Sequence, residues 1–96
     1  MKPNFVVLIL DCTRADHLSC YGYERETSPF LDSLAARGTR FANMVSAAPW
    51  TLPSHGALFT GTYSAAHGAT DEHRYLRTDL LTLPEVLKGA GYATGA

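Results

Sequence analysis

Phe5-Val6-Val7-Leu8-Ile9-Leu10 is an unbroken apolar run that closes on one carboxylate, Asp11. It has no period of two, so neither face is set aside for water. Such a run suits a strand covered on both faces, the pattern of a parallel sheet with helices on either side. The strand is expected over residues 4–10. An Asp at its carboxyl end then sits where open α/β sheets hold their ligands. The run is far too short to span a bilayer. It also lacks the longer apolar core and small-residue cleavage site of a secretory leader, so a cytoplasmic location is expected.

The rest of the chain alternates strand and helix signals, which argues for α/β rather than segregated α+β. Residues 14–26 are polar, a loop with room for one helical turn. Ser28 is a natural N-cap, Pro29 fits the first helical position, and Gly38 fits the stop. Phe30, Leu31, Leu34 and Ala35 then share a face that should pack on the sheet. A second strand is expected over 39–45, with Phe41 inward and Arg40 outward. A short apolar helix is expected over 56–60, stopped by Gly61. Residues 62–81 show no period and are expected as a surface loop. Thr82-Leu83-Pro84-Glu85 carries a capping-box signature for a last helix ending near Gly89 or Gly91.

The 96 residues allow one small domain at most. A net charge of −1, with basic residues scattered, offers nothing to nucleic acid or an anionic membrane. Cys12 and Cys20 make neither a CxxC pair nor a disulfide framework, and are expected reduced. After Gly91-Tyr92-Ala93-Thr94-Gly95-Ala96 a further buried strand is due to begin. The expectation is therefore a chain cut short, lacking the later strands of its sheet.

The segment with most chemistry is Thr51-Leu52-Pro53-Ser54-His55-Gly56-Ala57-Leu58-Phe59-Thr60-Gly61. It sets the Thr51 hydroxyl close to a helix N-terminus, where free N–H groups and the helix dipole favour an anion such as a sulfate or phosphate ester. The plainer reading of Thr51 is a residue that only caps the helix. Asp11 has two readings also, a metal ligand or a carboxylate capping the turn after its strand. Arg14 and Asp16 are expected to pair, with contact of Arg14 to an anion as the rival reading. Trp50 is expected to anchor the loop by packing.

In order along the chain, Asn4 to Asp11, Arg14-Ala15-Asp16-His17-Leu18, Tyr21-Gly22, Thr27 to Ala35, Gly38-Thr39-Arg40-Phe41, Thr51 to Gly61, Tyr63, His67-Gly68, Leu83 to Leu87 and Gly91-Tyr92 resemble the N-terminal part of the sulfatases. More broadly they resemble the alkaline-phosphatase-like metal hydrolases. The resemblance implies the N-terminal portion of that α/β fold, a mostly parallel sheet flanked by helices, with residues 1–96 an incomplete catalytic domain. It implies a hydrolase of sulfuric or phosphoric esters on a small molecule or glycan. It also implies that the remaining metal ligands and the substrate-binding residues lie in a missing C-terminal portion or a completing chain. A catalytically incomplete product is the rival expectation.

Sulfatases carry Cys or Ser in C/S-x-P-x-R, converted to formylglycine. Here Thr51 replaces the Cys and His55 the Arg. Threonine cannot be oxidised to the formyl aldehyde, so formylglycine is excluded at Thr51. The string Thr51-Leu52-Pro53-Ser54-His55 is similar to the Thr-x-Pro-x-His loop of nucleotide pyrophosphatase/phosphodiesterases, which makes a phosphodiesterase or phosphonate monoester hydrolase the alternative. The resemblance assigns Thr51 as nucleophile and metal ligand, and Asp11 as a ligand to a divalent ion (Ca, Zn or Mn). Cys12 stands where many sulfatases have a second Asp, so a thiolate ligand is one reading and plain packing the other. His55 can orient the anion in place of Arg, bind a second metal, donate to a leaving oxygen, or simply be a satisfied polar residue. His67 is expected to make a structural hydrogen bond, and His17 and His73 carry no signal beyond composition.

Overall fold

The computed structural model describes residues 2–96. It divides into two compact units, one running to Met44 and the other Val45–Ala96. Helix α1 is Pro29–Ala35, α2 Thr51–Thr60, α3 Ser64–His67 and α4 Leu83–Gly89. Two 3₁₀ turns, Ala15–His17 and Ser19–Tyr21, precede them.

Among the described residues no strand forms, which departs from the expected sheet. Residues 4–10 make no ladder. Val6 is 91% and Leu8 73% exposed. A parallel ladder needs a neighbour returned by a crossover of a dozen or more residues, and no second strand is present among the described residues. The strand expected over 39–45 is likewise absent, with Phe41 exposed rather than inward. That segment is instead held by Tyr21, whose hydroxyl donates to the Phe41 carbonyl at 3.2 Å while the Arg40 guanidinium lies 5.0 Å from its ring centre.

In the first unit the chain turns sharply after Leu10. The Thr13 N–H donates to the Leu10 carbonyl at 3.4 Å, and Cys12 adopts φ 57°, a left-handed conformation uncommon outside glycine. Arg14 and Asp16 form the expected pair, with Nη2 to Oδ2 at 2.6 Å. Helix α1 starts where Ser28 and Pro29 place it. Ser28 Oγ, however, caps no N–H of α1 itself and donates to Asp32 Oδ1 at 2.8 Å. Ser19 Oγ donates to Asp32 Oδ2 at 2.6 Å, and each serine accepts the other's backbone N–H, at 3.0 and 3.1 Å. These two hydroxyl donors, Ser19 first, hold the Asp32 carboxyl below its ordinary pKa. Phe30 and Leu34, expected against a sheet, are exposed.

The second unit packs α2 against α3 and α4. Helix α2 begins at Thr51, not at Gly56. Its first backbone bond runs from the Ser54 N–H to the Trp50 carbonyl at 3.3 Å, so Pro53 occupies a position where no N–H is needed. Gly61 ends it at φ 68°, donating to the Ala57 carbonyl at 2.8 Å. Residues 62–81 are not purely a surface loop. They hold the single turn α3, too short to show a period, followed by the buried Ala69. Helix α4 carries the expected capping box, with the Thr82 N–H donating to Glu85 Oε2 at 2.7 Å.

Candidate functional site

Thr51 is exposed at the first position of α2, with Trp50 rather than Thr51 in the N-cap position. The Thr51 carbonyl accepts from Ser54 Oγ at 3.0 Å and bonds His55 Nδ1 at 2.9 Å. A carbonyl oxygen only accepts, so Nδ1 carries the proton, and in the neutral ring Nε2 presents its lone pair. The His55 ring is tilted against Phe59, with centroids 6.4 Å apart. Leu52, His55, Phe59, Leu76 and Pro84 line an open apolar groove along this helix. One turn of α2 therefore brings together a hydroxyl at the positive end of a helix dipole and an imidazole nitrogen able to accept a proton or bind a metal.

Asp11 is in the first unit. One of its carboxylate oxygens, Oδ1, accepts from the Cys12 N–H at 3.0 Å, the turn-capping bond of the plainer reading. Cys12 is exposed. Among the described residues no three His, Cys, Asp or Glu side chains gather as a metal set. Asp11 turned onto its own backbone does not by itself constitute one. No helix among the described residues is long and apolar enough to cross a membrane.

Behind α2 lies the side chain with the greatest burial. His67 is 0% exposed, and its Nδ1 accepts from the Ala69 N–H at 3.1 Å, the structural bond expected of it. A β-carbon built on Gly56 would lie 2.7 Å from His67 Cε1, 2.9 Å from Nδ1 and 3.1 Å from Nε2, so the ring sits face-on against that glycine. This contact was not foreseen from sequence; its only trace there is a glycine inside a helical stretch.

Thr51 thus stands at the start of a ten-residue helix that ends at Gly61, with His55 one turn on. The family model described as Sulfatase matches residues 3–96, and the chain belongs to the sulfatase family. It is 33% identical over 99 residues to an N-acetylgalactosamine-6-O-sulfatase of Bacteroides thetaiotaomicron, covering 98% of this chain and 19% of that relative. An arylsulfatase of Hemicentrotus pulcherrimus is 36% identical over 103 residues, covering 99% and 19%. A steryl-sulfatase of Mus musculus is 35% identical over 103 residues, covering 96% and 16%. The chain thus spans about a fifth of the length of the curated relatives it matches. No solved structure matches it. Membership of the family implies an alkaline-phosphatase-like α/β fold, of which the described residues show the helices and no strand.

Proposed function

We propose that residues 1–96 are the nucleophile-bearing segment of a sulfatase-family, metal-dependent hydrolase of sulfuric or phosphoric esters, with Thr51 as the attacking group. The observation that carries this reading is the position of Thr51, exposed at the N-terminus of α2 with His55 one turn behind it. In-line attack forms a bond from Thr51 Oγ to sulfur or phosphorus as the ester bond to the leaving oxygen breaks, and water then releases the acid from threonine. The Nε2 lone pair of His55 favours accepting a proton or binding a metal over donating to the leaving group. Asp11 and Thr51 are offered as ligands to a divalent ion, the remaining ligands coming from outside these residues.

The named relatives act as sulfatases and lend nothing to a phosphodiesterase. That second reading rests on hydroxyl chemistry. Without an aldehyde hydrate at Thr51 a threonyl sulfate is hard to release, whereas water displaces threonine from phosphorus. The test is the native polypeptide carrying these residues, assayed on 4-nitrophenyl sulfate and bis(4-nitrophenyl) phosphate. Thr51→Ala and Asp11→Asn should each abolish turnover, and near-wild-type rates in either would sink the assignment.

A further inference from the structure

We propose that His67 is a positioning residue that sets the direction in which Thr51 is presented, by pressing its imidazole face on Gly56 of α2. The proposal rests on Thr51 as the reacting group, but its geometry stands apart from that chemistry. His67 ends α3 and is wholly buried. Two bonds hold it and a third holds its neighbour Ala66. Its Nδ1 accepts from the Ala69 N–H, its carbonyl accepts from the Arg77 N–H at 3.1 Å, and Arg77 Nη1 donates to the neighbouring Ala66 carbonyl at 3.4 Å. The aliphatic stem of Arg77 also lies against Gly68, 3.2 Å from where a β-carbon would stand there.

The ring is thus a fixed plate, and α2 can approach it this closely only at a glycine. The same turn of α2 is tied on its other side by Thr60 Oγ1, which donates to the Gly56 carbonyl at 2.7 Å. Thr51 lies five residues up the helix, about 7.5 Å along its axis, so a tilt of roughly 8° about the Gly56 contact moves it by about 1 Å. A displacement of that size is enough to cost about 100-fold in a reaction that depends on in-line alignment.

The Ala69 bond also fixes the tautomer. With Nδ1 accepting, the ring proton sits on Nε2, which is buried with no partner among the described residues. A group chosen only for packing would not need a buried donor without a partner, which carries a desolvation cost. A planar ring with an acceptor on its near edge supplies what the contact requires, a flat face for Gly56 and an anchor for Ala69.

The experiment uses His67→Ala and His67→Asn, the second keeping an acceptor for the Ala69 N–H. In the native polypeptide His67→Ala should lower kcat by about 100-fold with KM changed by less than about twofold, and His67→Asn should recover part of the loss. Unchanged kcat in His67→Ala, or equal losses in kcat and affinity, overturns the proposal. A second readout is independent of turnover. In uniformly 15N-labelled protein, His67 should show a bare Nδ1 and a protonated Nε2. The amide signals of Thr51, Leu52 and Ser54 should move more in His67→Ala than in His67→Asn. Static amide signals, or a proton on Nδ1, overturn the positioning role even if neither ester is turned over, the result that would end the reading of Thr51 instead.

Discussion

Replacing Gly56 with alanine sets a methyl carbon 2.7 Å from His67 Cε1 and 2.9 Å from Nδ1, closer than such atoms approach in folded proteins. The ring cannot swing aside without giving up the Ala69 bond, and it is 0% exposed, so α2 itself must shift. Alanine is worth about 1 kcal/mol over glycine in a helix interior. Overpacking at a fixed neighbour costs up to about 3 kcal/mol. The net expectation is a loss of about 2 kcal/mol, which lowers a urea midpoint by roughly 1 M at the slopes usual for small proteins. Gly89→Ala is the control, because nothing lies within 4 Å of a β-carbon there, and it should be neutral or gain up to about 0.5 kcal/mol. The cycle with His67→Ala is the sharper test. If the ring is the obstacle, Gly56→Ala should cost at least about 1 kcal/mol less when the ring is gone. A Gly56→Ala protein as stable as wild type, or a cycle with no coupling, would refute the argument.

Four further outcomes follow from the same structure. The peptide bearing Thr51 should have the mass of unmodified threonine and fail to label with an aldehyde-reactive probe; labelling would end the direct-attack reading. Asp32, whose pKa is lowered chiefly by the Ser19 hydroxyl and next by Ser28, contributes stability that is present above the unfolded carboxyl value of about 4 and is lost as pH falls through the lower folded value. Acid unfolding should show that loss, and Asp32→Asn should flatten it. Thr82→Ala breaks the capping box of α4 and should cost about 1 kcal/mol, read as faster hydrogen exchange in the first turn of that helix. Val6→Lys, at a side chain 91% exposed in an apolar run, should reduce light scattering on concentration without lowering the midpoint of unfolding.

What was legible in the sequence was local. Thr82 and Glu85 are three residues apart, and their reciprocal bonding needs nothing else to form, so the start of α4 could be read directly. The Gly61 stop and the Ser28-Pro29 start are local in the same sense. The strand at 4–10 depends on remote partners, so its apolar pattern names a preferred environment that the described residues do not provide. The beginning of α2 is masked in the sequence because Pro53 and the polar residues 54 and 55 resemble a loop. A helix needs no N–H at its first positions, which is why proline fits at the third. Residue type marks Thr51, His55 and Asp11 as candidates, but their settings are not encoded in it. The His55 proton, the bond of the Asp11 carboxylate to the Cys12 N–H and the His67 plate under Gly56 all depend on side-chain directions that spacing does not encode.

The Ser19, Ser28 and Asp32 arrangement has a kinetic consequence. Each hydroxyl has one hydrogen, and both are committed to the same carboxylate, while each oxygen takes the amide of the opposite serine. Each amide bonds one hydroxyl oxygen, and both hydroxyls are held by the one Asp32 carboxylate, so loosening that carboxylate frees both amides. The amides of Ser19 and Ser28, nine residues apart along the chain, therefore report a single opening event, and their deuterium uptake should follow one rate and one pH dependence.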